Sequence, residues 1–351
     1  KGYLSLQRLY LVSAKSFLIV SCIAMIDIAD IVQLPYTPDL TEGGIAFALH
    51  SLPHSSQGVG SSTYDVLRRV VAEAAVEIAF RRYLSARAIP FEVKAALPFC
   101  GHDRYDVMLN GRRCEIKSLL IRQPQQISQL RQNPELLLEV PALVASDQHA
   151  EEGHSPRDLY LFAFLLGGMT DSRADPPKGI AVQQPQYFIH VMPEAWSRPS
   201  QWHSLGKLVL KSEADEAQTV EIGGQDEGHT MHSCTLELPP RRRIEIPNRF
   251  FSLSYVHRRS ASRARIGVHS AVRRETYLIG APDWRDIWVC AAGILLTGYI
   301  TREEFRRRAR FIPAGSHVFQ DKQTQVKNLA VTVSELRPLS ALFERASSAL
   351  P

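Results

Sequence analysis

The Asn110-Gly111 pair, set between the alternating runs 104–109 and 112–118, constrains this chain more than any other feature. Both residue types accept positive φ, so the pair closes a two-residue type I′ hairpin. Such a turn fixes the register. Leu109 then faces Arg112, Met108 faces Arg113, Val107 faces Cys114 and Asp106 faces Glu115. Opposed residues in an antiparallel pair share a face. One face collects Tyr105, Val107, Leu109, Cys114 and Ile116, and is expected to be buried. The other collects Asp106 and Glu115, with Lys117 two residues further along the same face. Directly opposed carboxylates repel each other. A divalent cation held by both, with an ammonium beside it, is the simplest arrangement that makes the pair tolerable. A solvated hairpin face of mixed charge is the plainer alternative.

The flanking segments favour a central hairpin. The loop-like stretch 51–63, rich in Ser, Gly and His, ends at Thr63, an expected N-cap. Leu67, Val70, Val71, Ala74, Ile78 and Leu84 then recur at helical spacing from Tyr64 to about Ala86. Pro90 closes the helix, and Phe91 to Leu97 reads as a strand. Further on, Asp158 to Leu166 is almost continuously apolar, as expected of a strand covered on both faces.

An acid on one strand followed by Glu-X-Lys on the next resembles the PD-(D/E)XK nuclease superfamily, here with Asp106 and Glu115-Ile116-Lys117. Glu77, several residues before Tyr83-Leu84, matches the helix glutamate found in many members, with Glu73 as the reserve choice. Tyr105 stands where the name-giving proline would be. The resemblance covers roughly residues 63–192. It implies an α/β fold, a restriction-endonuclease-like mixed sheet flanked by helices. It also implies a Mg²⁺-dependent endonuclease acting on DNA, with Mn²⁺ as a substitute and RNA left open as substrate. Asp106, Glu115 and the backbone carbonyl of Ile116 would hold the metal. Lys117 would position the attacking water or stabilise developing negative charge. Glu77 would orient the metal's waters or bind a second ion. The alternative for Glu77 is an i,i+4 ladder of Arg69, Glu73, Glu77 and Arg81 on a salt-bridged helix face.

At about 150 residues per domain, 351 residues suggest two domains, with one or three open. Residues 1–62 are an N-terminal segment of uncertain start, 63–195 the nuclease-like domain, and 207–351 a β-rich module with short helices. Serial short strands are expected at 207–210, 219–222, 234–238, 243–246, 251–256, 276–279 and 287–291, with a capping box at Thr301-Arg-Glu-Glu304 opening a basic helix through Arg310. Between 119 and 155, glutamines and Pro134 suggest one or two inserted helices.

The net charge is only +5, but ten arginines fall between Arg241 and Arg274, and Arg306, Arg307, Arg308 and Arg310 form a second cluster. Solvated faces and a phosphate-binding surface both explain such clusters. A non-catalytic nucleic-acid-binding or assembly protein built on this fold is therefore the rival reading, and a homodimer is compatible with either. Five dispersed cysteines without CxxC spacing fit a reducing, cytoplasmic setting. His229, His232 and Cys234 lack the second ligand cluster that zinc needs. The apolar run 16–26 is too short for a span of about 20 residues, so no membrane partner is expected. Its loose lipobox at Cys22 leaves a lipoprotein as the less favoured alternative.

Overall fold

The computed structural model describes residues 25–52, 62–93, 107–150, 155–169, 186–260, 262–320 and 323–347. From the N-terminal side come β1 (Val32–Leu34), α1 (Pro38–Ser51), α2 (Thr63–Ala86), β2 (Glu92–Val93), β3 (Val107–Leu109) and β4 (Arg112–Ile121). Then follow α3 (Pro124–Gln132), β5 (Pro141–Ala145), α4 (Ser146–Ala150), β6 (Leu159–Met169), β7 (Phe188–Val191) and α5 (Glu194–Ser197). Next are β8 (Leu208–Ser212), β9 (Gln218–Gln225), β10 (Met231–Leu238), β11 (Arg243–Glu245), β12 (Ser252–Arg258), β13 (Ile266–Ser270), β14 (Glu275–Ile279) and β15 (Arg285–Asp286). The last are β16 (Val289–Thr301), α6 (Arg302–Arg308), β17 (Arg310–Ile312), β18 (Asn328–Thr332) and α7 (Leu339–Ser347).

The hairpin forms as its turn dictates. Asn110 and Gly111 take φ of 52° and 68°. Val107, Met108 and Leu109 pair with Cys114, Arg113 and Arg112. The first sheet runs β1-β16-β6-β4-β3-β2, and only β4 and β6 are parallel. Odd and even residues of β4 and β6 enter two different cores, so both strands are covered on both faces. Cys114, Leu159, Leu161, Ala163 and Leu165 pack under α1 and α2. Ile121, Tyr160, Phe162, Phe164 and Leu166 pack on the opposite side. There the three-stranded sheet β17-β18-β5 and Phe305 of α6 close the layer. Helix α1 lies close on α2 because Gly44 has no side chain. A Cβ there would come within 2.4 Å of the Val71 carbonyl oxygen. Ser62, rather than Thr63, is the N-cap of α2, and its side chain makes no capping bond.

A third core lies between the sheet β10-β9-β12-β7-β15 and the sheet β11-β8-β13-β14. Met192, Leu208, Leu210, Val220, Ile222, Val256, Ile266, Val268 and Trp284 fill it. The expected β-rich region is thus present, but its strands are divided differently from the expected segments. β16, from within 207–351, pairs with β6 in the middle of the first sheet, and β18 pairs with β5. β7, from within 63–195, joins β12 and β15, and β1 from the N-terminal segment joins β16. Non-local strand pairing crosses every boundary drawn on the sequence. Most of the apolar run 16–26 lies outside the described residues; Ile26 at its end is buried in the second core. No described helix is long and apolar enough to cross a membrane.

Two buried histidines should make this fold acid-sensitive. His190 is 7% exposed, with ring nitrogens 3.1 Å from the Asp283 carbonyl and from the Tyr277 hydroxyl. His257 is 4% exposed, stacked on Tyr187 with ring centroids 3.2 Å apart. Burial lowers both pKa values below 6.5, outweighing Asp283 beside one and Glu221 beside the other. The unfolded chain therefore binds more protons as pH falls below 6.5. Their stabilising contribution is complete above that pH and is lost as pH falls toward the folded pKa values. Thermal melts should show a higher Tm at pH 7.5 than at pH 5.5, and His190→Gln/His257→Gln should flatten that difference. A Tm that rises on acidification would contradict the assignment.

Candidate active site

Strand β4 alternates, so Cys114 and Ile116 point to the α2 side while Glu115 and Lys117 point to the opposite core. Glu115 and Lys117 are 5% and 6% exposed, unusual burial for two charged side chains. They are neighbours: Lys117 Nζ donates to Glu115 Oε1. The same ammonium donates to Gln148 Oε1 of α4 at 3.0 Å. Arg302, the first residue of α6, brings its Nη1 to 3.7 Å from Glu115 Oε2. Its Nη2 donates to the His149 carbonyl. Tyr160 is the floor. It is fully buried, Glu115's register partner on β6, with Lys117 Nζ 5.4 Å and the Arg302 guanidinium 5.2 Å from its ring centroid. Its hydroxyl lies 3.1 Å from His149 Nδ1. Burial, then Arg302 and Arg306, lowers the His149 pKa below its ordinary value.

The structure brings Glu115 and Lys117 together as the sequence spacing requires. Asp106 lies outside the described residues. Glu77 sits on α2, which packs on the face of the first sheet away from Glu115 and Lys117. It is 9% exposed whereas Glu73, one turn earlier, is exposed, so the arginine–glutamate ladder is not a plain solvated face. Sequence reasoning missed Gln148, His149, Tyr160 and Arg302. Tyr160 was recoverable in principle, because a strand parallel to β4 places one residue opposite Glu115. Arg302 carried no signal beyond its position inside a capping box.

Glu115 and the Ile116 carbonyl are oxygen donors of the kind Mg²⁺ takes. Both carboxylate oxygens of Glu115 already face cations, so an incoming ion must displace one of them or add to the charge. Among the described residues, no group of three or more His, Cys, Asp and Glu side chains is placed to hold a metal ion. In the His229–Cys234 stretch, where zinc is not expected, His232 Nε2 lies 2.9 Å from Asp226 Oδ2. Compared with family models, curated proteins and solved structures, the chain matches none.

Proposed function

We propose that the chain is a metal-dependent endonuclease that hydrolyses phosphodiester bonds in DNA on a restriction-endonuclease-like core. One observation carries the reading: Glu115 and Lys117 are buried side by side on β4, within a fixed order of elements. That order is helix α2, antiparallel β2-β3-β4, helix α3, then, after β5 of another sheet and α4, β6 parallel to β4. A buried carboxylate–ammonium pair is costly to desolvate and is weak evidence of a stabilising role. Its retention on a central strand therefore favours a chemical one.

The Lys117 ammonium would hold the attacking water or offset charge developing on the phosphate oxygens. Glu115 would keep that ammonium oriented. Mg²⁺ bound by Asp106, Glu115 and the Ile116 carbonyl would polarise the phosphate and acidify a water. The described side chains Glu115, Lys117 and Arg302 sum to one positive charge, which suits a phosphodiester. Supercoiled, linear and single-stranded DNA incubated with Mg²⁺, Mn²⁺ or EDTA provide the test. Cleavage with either ion and none in EDTA is expected, and no metal-dependent cleavage on any of these substrates defeats the proposal.

Arg302 favours a second reading. With Lys117 donating to one oxygen of Glu115 and Arg302 3.7 Å from the other, the cluster would serve as a charge-compensated structural network. The protein would then bind nucleic acid without cutting it. Salt-sensitive DNA binding with no cleavage, unchanged in Asp106→Ala, is its signature.

A further inference from the structure

The two arginine clusters of the sequence fare differently in three dimensions. In the longer run, Arg241 pairs with Asp215, Arg265 with Glu213 and Arg273 with Glu275. Arg258 is buried with its guanidinium 4.2 Å from the Trp284 ring centroid. Much of that run is neutralised or folded inward. On α6 the inward positions are taken by Arg302 and Phe305, both buried. Arg306 and Arg307 face outward and are exposed, as is Arg310 at the start of β17. Among the described residues none of these three makes an ion pair, whereas Arg308 pairs with Glu335. Of the acids nearby, Glu303 is exposed on the same helix, Glu304 pairs with Arg337, and Glu335 pairs with Arg308 and lies near Arg310, which leaves Arg306 and Arg307 as the freest of the set. Phe311, 57% exposed, follows Arg310 on β17, where successive side chains point to opposite faces. Exposed arginines clustered on one short stretch are what a phosphate backbone can meet.

The position of this ledge gives it a role. Arg302 lies 3.7 Å from Glu115, and Arg306 follows it by one turn of α6, exposed where Arg302 is buried. The geometry points to α6 and the start of β17 as the track that leads a DNA backbone to Glu115 and Lys117, with Arg306, Arg307 and Arg310 as its phosphate contacts. The end of the track at Glu115 and Lys117 rests on the nuclease reading; the DNA contact itself does not.

The test is binding of fluorescently labelled duplex DNA in EDTA across a salt series. Wild type is compared with Arg306→Gln/Arg307→Gln/Arg310→Gln and with a control, Arg242→Gln/Arg263→Gln/Arg274→Gln, exposed positions of the longer run. Three lost phosphate contacts should weaken binding at least tenfold at low salt and flatten the log–log salt slope by about 2.7. The control should change affinity less than about threefold. Thermal melts establish that the variants are folded, and Arg306→Gln alone serves if the triple variant is not. Equal affinity for wild type and the α6 variant, or a larger loss in the control, overturns the assignment. Ledge-dependent binding without metal-dependent cleavage leaves the track standing and removes the nuclease. Cleavage with ledge-independent binding does the reverse.

Discussion

Lys117→Met should lower metal-dependent DNA cleavage at least about 100-fold, the scale for removing one electrostatic contact to a transition state. The same substitution leaves the Glu115 carboxylate buried with Arg302 3.7 Å away. Removing one partner of a buried pair costs about 3–5 kcal/mol, and Arg302 should reduce that penalty. The informative comparison is Glu115→Gln/Lys117→Met/Arg302→Met, because Glu115→Gln/Lys117→Met alone would leave buried Arg302 without the carboxylate it faces. Neutralising all three removes every uncompensated charge, and such replacements are neutral or stabilising by up to about 4 kcal/mol. The triple variant should therefore be at least as stable as Lys117→Met in urea, yet inactive in cleavage. That combination separates a cluster kept for chemistry from one kept for folding. Full cleavage by Lys117→Met would falsify the nuclease proposal, and a triple variant much less stable than Lys117→Met would mark the cluster as structural.

Phe305→Ala should cost about 3–5 kcal/mol of unfolding free energy, the range for truncating a large buried aromatic. Phe305 is fully buried, with its ring centroid 5.2 Å from Tyr160 edge-on, 5.6 Å from His149 and 6.2 Å from Phe162. These aromatic contacts add to the burial. The same ring anchors α6, so Arg302 at the candidate site and the outward arginines are expected to shift with it. Urea denaturation measures the first effect, and DNA binding under folding conditions measures the second. A loss below about 1 kcal/mol would mean that the second core closes around the missing ring.

Strong local signals were read correctly. The β3–β4 register follows from Asn110-Gly111, and α2 from its helical spacing. Capping at Thr301 is also observed, with its hydroxyl accepting from Glu304 N–H, although the helix it opens stops at Arg308 rather than Arg310. The covered character of β6 follows from its unbroken apolar run. β16 was harder. Its 13 residues were read only in part, at 287–291, because the register with β6 shifts after Ala291 and again after Leu296. Each bulge turns the strand over and erases the period-two pattern on which such reading depends. β13 was hidden within an arginine-rich stretch, and β5 within a segment expected to be helical. At the candidate site, Glu115 and Lys117 were legible because they are two residues apart on one strand. Gln148, His149 and Arg302 were not, because they reach the site from separate elements.

By itself the sequence determined which side chains share a face, since φ preferences, turn chemistry and strand alternation act over a few residues. Tertiary structure alone decided which elements meet. It set β16 beside β6 and β18 beside β5, brought Arg302 onto Glu115, and divided the arginines into paired and outward-facing sets. Those outcomes depend on burying apolar surface and matching backbone hydrogen bonds between distant segments, for which no short stretch of chain holds the information.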